Sequence, residues 1–84
     1  VLFRADMRGV VAQDATFTEA GLRDANLTGA TLRSADLVRA DLSGADLTDA
    51  DFSGANLLSA NLHGANQEGT NFAGAQMPDN SIGR

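Results

Sequence analysis

Four aspartates stand five residues apart, Asp36, Asp41, Asp46 and Asp51, with Asp49 among them and a single histidine, His63, beyond. Carboxylates, one imidazole and many serines are the ingredients of acid–base, nucleophilic and metal chemistry. Spacing decides whether they are used that way. Catalysis by a tuned histidine needs partners that hold it, and none can be placed around His63. A Ser–His–Asp set found by counting along a chain carries no geometry. The glycines do not open a helix, so there is no phosphate-cradling loop. The absence of cysteine removes disulfides, thiolate metal sites and cysteine nucleophiles. The sequon at Asn26–Thr28 falls on a repeating asparagine and is a weak match.

What positions these residues is a repeat. From Ala35 to Ala60 the chain reads ADLVR ADLSG ADLTD ADFSG ANLLS A, with nothing inserted. Counting in fives from Leu2, every central residue to Ile82 is large and apolar except Ala12 and Gln67. Two residues before each centre stands Ala, except at Val10, Thr70 and Asn80. A helix would scatter the centres around its cylinder, because five residues advance about 140° beyond a full turn. A continuous strand would alternate their faces. A short extended piece followed by a corner buries both sets. Gly9, Gly29, Gly44, Gly54, Gly64, Gly69 and Gly74 all take the second slot after the centre. That is the third position of a turn, where type II geometry needs positive φ. Where the slot holds Arg, Ser, Glu or Asp, the expectation is a type I-like or irregular corner.

The A(D/N)LXX pattern, over about Ala5 to Met77, resembles the pentapeptide-repeat family. The resemblance implies an all-β fold: a right-handed quadrilateral β-helix (solenoid) with four units and 20 residues per coil. Residues 1–84 then form one domain of about four coils, with 1–15 as an irregular first coil and 78–84 as a terminal tail. Residues 20 apart lie over one another, which numbers four walls by their centres: Leu2 and Leu22 on the first, Met7 and Leu27 on the second, Ala12 and Leu32 on the third, Phe17 and Leu37 on the fourth. Asp36, Asp41, Asp46 and Asp51 come beneath Asn56, Asn61, Asn66 and Asn71, where an amide could donate to a carboxylate. Glu19 falls beneath Arg39, Arg4 beneath Asp24, and Phe52 beneath Phe72. Gln67 in the core row needs internal partners for its amide, or its wall opens. Calcium asks for six to eight converging oxygens, whereas a prism of this kind splays its carboxylates. No metal, no cofactor and no enzymatic activity are expected.

Charge and surface then carry the functional reading. The net charge is −5 and every basic residue is Arg, which argues against direct nucleic-acid binding. No apolar run reaches the roughly 18 residues of a membrane span. The candidate interaction surface has two parts. One is apolar: Val1, Phe3 and Val11 at outward slots of the first coil, and Val38 and Leu58 stacked on the fourth wall. The other is acidic: Asp36, Asp41, Asp46, Asp49 and Asp51, which with Arg39 give residues 36–55 a net −4. The expectation is a scaffold that binds another protein through flat β walls and open coil ends, by end-to-end dimerisation or docking in a larger assembly. The alternative is a DNA mimic acting on gyrase, a role implied by resemblance to the quinolone-resistance members of the family. The expected compartment is the cytoplasm, with a photosynthetic compartment (thylakoid-associated or lumenal) as the alternative.

Overall fold

A computed structural model of the chain describes residues 4–79 and residue 83. Val1 and Phe3 lie outside the described residues. Parallel bridges join Asp6 to Asn26, Val11 to Thr31, Thr16 to Asp36 and Gly21 to Asp41, and continue in steps of five to Asn56 and Gln76. Every bridge spans twenty residues, so four five-residue units complete one circuit. No unit is long enough to make an extended strand. Each has one bridging residue, a centre and a two-residue corner.

The backbone groups are satisfied by one scheme. Around Leu22, the Leu22 N–H donates to the Asp41 carbonyl (2.8 Å), and the Asp41 N–H donates back to Ala20 (2.9 Å). The Asp24 N–H donates to Ser43 (2.9 Å), and the Ala25 N–H closes the corner on the Leu22 carbonyl (3.1 Å). The same four bonds recur unit after unit, so the ladder runs along the axis of the prism. Its walls then face inward with the centres and the alanines.

Leu22, Leu27, Leu32, Leu37, Leu42, Leu47, Phe52 and Leu57 are fully buried, with Ala25 to Ala60 of the alanine row beside them. Each large side chain contributes about 1.5–3 kcal/mol by leaving water. Alanine at the neighbouring slot lets the walls approach. Met7, Phe17, Leu62, Phe72 and Met77 are half-buried against this core. Phe52 and Phe72 stack as expected, with ring centroids 5.7 Å apart and planes tilted by 36°.

Three expectations are corrected. The irregular winding expected of residues 1–15 is not seen over residues 4–15. Bridges at Asp6 and Val11 and bonds such as Met7 N–H to the Asn26 carbonyl (2.8 Å) keep them in register with the coil above. Nor do non-glycine corners differ from glycine ones. Arg4, Asp14, Glu19, Asp24, Ser34, Arg39, Asp49 and Ser59 have φ of 57–64°, and the glycines of the same slot have φ of 66–72°. The cause lies in the ladder: the N–H of this slot must reach the coil above, as Asp24 does to Ser43 and Gly29 to Thr48. Stacking therefore imposes the left-handed conformation, against an intrinsic cost of about 1–2 kcal/mol per residue. Finally, Gln67 neither buries its amide nor opens its wall. Its side chain is exposed, Leu47 beneath it stays fully buried, and the corner closes through Thr70 N–H to the Gln67 carbonyl (3.2 Å). The Thr70 hydroxyl donates to the Leu47 carbonyl (2.6 Å), which anchors this larger residue in an alanine slot.

Candidate interaction surface

The aspartate and asparagine row has a local task. Oδ1 of each accepts the backbone N–H two residues on: Val38 to Asp36 (3.0 Å), Ser43 to Asp41 (3.0 Å), Thr48 to Asp46 (3.1 Å) and Ser53 to Asp51 (3.0 Å). Asn26, Asn56, Asn61, Asn66 and Asn71 do the same. This is the Asx turn, and it pins the residue just outside the centre. The stacking of Asp36, Asp41, Asp46 and Asp51 under asparagines is as expected. The bond predicted between them is replaced by these local ones. Both residue types offer an Oδ1, which is why they alternate in one slot.

Hydrogen bonding to the charged form holds several carboxyls below their ordinary range. For Asp41 the Ser43 hydroxyl is the main cause, then the Ser43 N–H, with Arg23 adding to it. For Asp46 it is the Thr48 hydroxyl, then the Thr48 N–H. For Asp51 it is the Ser53 N–H first, with Arg33 helping from 3.9 Å. Asp6 is lowered to about 2 by a paired Arg8 side chain at 2.7 Å. The Glu19–Arg39 pair forms between coils at 3.0 Å. Among the described residues no group of three or more His, Cys, Asp or Glu comes together to hold a metal ion. His63 is exposed, and its N–H is taken by Asn61 (2.9 Å).

Among the described residues, Val11 is the large apolar residue most open to water, at 76% exposure. It occupies the bridging slot, beneath Thr31, Asp51 and Asn71 in its column, and valine cannot make the Asx bond that Asp51 and Asn71 make there. Val38 and Leu58 do stack: Glu19 N–H reaches the Val38 carbonyl (2.8 Å) and Arg39 N–H the Leu58 carbonyl (2.9 Å). Pro78 continues that column through Ser59 N–H (3.3 Å). All three side chains are half-buried, so this column is a shallow apolar ridge.

The four aspartates Asp36, Asp41, Asp46 and Asp51 face four different walls, Asp36 the fourth and Asp41 the first. Asp46 lies on the second wall with Glu68 on the coil above, Asp51 lies on the third, and Asp49 sits at the corner between them, exposed, with φ of 59°. Glu68 was missed from the sequence, although counting twenty from Thr48 would have placed it there. The Asp49 carboxylate reaches across to Gly69 on the coil above, as Asp24 does to Gly44.

Comparison with known proteins now decides the family. The pentapeptide repeat profile matches residues 1–34 and 35–74, with eight copies. The chain belongs to the pentapeptide repeat family. Three solved pentapeptide repeat proteins are similar to it. One, from the Arabidopsis thaliana thylakoid lumen, is 30% identical with a TM-score of 0.83, over 87% of this chain and 50% of that one. One from the cyanobacterium Cyanothece is 32% identical with a TM-score of 0.86, over 94% and 54%. One from Nostoc is 43% identical with a TM-score of 0.54, over 88% and 61%. Thus the chain spans about half to three fifths of the length of these pentapeptide repeat proteins. No curated protein matches it. Pentapeptide repeat proteins form right-handed quadrilateral β-helices, and the twenty-residue register of this member is that architecture. No helix among the described residues is long and apolar enough to cross a membrane.

Proposed function

We propose that this pentapeptide repeat protein is a non-enzymatic scaffold of about four coils that binds another protein through its β walls and coil ends. One observation carries the reading. Val11 is a large apolar side chain left exposed in the bridging slot, where it makes no Asx bond of the kind Asp51 and Asn71 make in the same column. The Val38–Leu58–Pro78 ridge offers a second apolar contact. The chemistry-bearing residues, by contrast, are absorbed by the repeat: the aspartates cap backbone N–H groups, and the serines and threonines beside them donate to those carboxylates. The partner meets the protein in the cytoplasm. A thylakoid lumen is the alternative setting, supported by the Arabidopsis relative. Capturing a partner with the parent chain, and comparing Val11→Asp and Leu58→Asp variants of unchanged fold, tests the reading. Loss of the partner in either variant supports it. A monodisperse chain that retains the same proteins whichever residue is changed overturns it.

A second reading, DNA mimicry against gyrase, draws on a specific feature. Residues 44–79 hold Asp46, Asp49, Asp51, Glu68 and Asp79 and no arginine. Their height is about 8–9 Å at ~4.8 Å per coil, and a duplex carries about five charges over that length. Four of the five gather around one corner. Supercoiling assays with gyrase decide this, and no effect at high protein concentration ends it.

A further inference from the structure

We propose that Gly83 is an edge-blocking latch, whose main chain plugs the rim of the β-helix above the third wall and prevents another extended chain from adding there. Elsewhere the corner N–H reaches a carbonyl nineteen residues on, as Gly54 does to Ala73 (2.9 Å). Gly74 instead donates to the Gly83 carbonyl (3.1 Å), only nine residues on. The alanine carbonyl elsewhere accepts from a residue twenty-one on, as Ala55 does from Gln76 (2.9 Å). Ala75 instead accepts from the Gly83 N–H (2.7 Å). One residue thus takes both a donor and an acceptor that the winding would otherwise present to a further strand. Exposed pairs of this kind are what sheet edges use to recruit other chains.

Glycine is required for the fit. A β-carbon at residue 83 would collide with the Phe72 carbonyl oxygen and stand 2.9 Å from the Phe72 β-carbon. Neither can yield, because the Phe72 carbonyl also accepts the Ala75 N–H (2.9 Å) and the Phe72 ring is stacked on Phe52. The latch therefore rests on the absence of a side chain at one position.

Gly83→Val, with Gly83→Ala as the milder variant, tests the proposal. Far-UV circular dichroism checks the fold, and two quantities are then measured against the parent. The Gly74 amide is expected to exchange about five- to tenfold faster, the loss of one ordinary hydrogen bond. Light scattering over a concentration series is expected to show added self-association through the opened rim. Unchanged Gly74 exchange in both variants overturns the proposal. So does faster exchange with no change in association, which would make Gly83 a structural contact with no blocking role.

Discussion

The carboxylate of Asp24 fills the space where a β-carbon at residue 44, one coil above, would stand. The Asp49–Gly69 pair repeats the arrangement. Glycine at these two corners is thus fixed by a neighbour twenty residues back as well as by its own backbone. Gly29 has positive φ but nothing within 4 Å of its notional β-carbon. Gly29→Ala should therefore cost about 1 kcal/mol from the backbone alone. Gly44→Ala should cost about 0.5–1.5 kcal/mol more, because the Asp24 side chain must leave its rotamer. Denaturant melts of Gly44→Ala in the parent and in Asp24→Ala form a double-mutant cycle. The excess should vanish when Asp24 is already gone.

Ser34 and Ser59 hold the left-handed conformation without glycine's freedom, at φ of 58° and 60°. Ser34→Gly should stabilise the chain by about 0.5–1 kcal/mol, as relief of the corner outweighs the extra unfolded-state entropy. Ser34→Val should destabilise it, since a β-branched side chain tolerates this region worst. Thermal melts of the two variants should move in opposite directions.

Acid should loosen the fold through the Asx row. Asp41, Asp46 and Asp51 have lowered folded-state pKa values, so the folded chain keeps them charged more firmly than the unfolded one does. Their stabilisation is complete above the unfolded value, about 3.9, and is lost as pH falls through the lowered folded values. Stability should be flat near neutrality and decline below about pH 4. Asp51→Asn keeps the Oδ1 acceptor but cannot titrate. It should fold at neutral pH and show a shallower acid decline than the parent, whereas Asp51→Ala should be weaker at both. Urea melts from pH 7 to pH 2 separate the two.

Val11→Asn ties stability to function. Asparagine would add at residue 11 the Asx bond that Asp6 already makes to the Arg8 N–H in the same coil, worth about 0.5–1 kcal/mol. It would also remove the exposed apolar contact. The expected outcome is a higher melting temperature together with weaker partner capture. A gain in both would show that the exposed valine has no part in binding.

Some of this molecule can be read directly from the order of its residues. The period of five fixes the centres, and stacking by twenty puts Glu19 against Arg39 and Phe52 against Phe72, because such contacts depend only on register. The corners are harder to read. Ser34 and Asp49 look like exceptions to a glycine rule, and only the ladder above them shows why they adopt its geometry. The asparagine-over-aspartate stacking suggests bonds between coils, yet the nearer N–H two residues on wins. Gln67 looks like a fault in the core, but its exposed side chain leaves Leu47 covered. For the surface, Val11 is visible by its slot. The gathering of Asp46, Asp49, Asp51 and Glu68 at one corner needs the walls to be wound first.

The Asx bond is closed within a single unit, from the side chain to the backbone two residues on. A unit could therefore be removed or copied without breaking any bond of this kind. Its removal would nevertheless turn everything above it by a quarter revolution, since four units make one circuit. A five-residue deletion between Val11 and Val38 would leave the core rows in place and move Val38 and Leu58 to the adjoining side. In this architecture the direction in which a surface faces can change in discrete steps of 90°, almost independently of whether the chain folds.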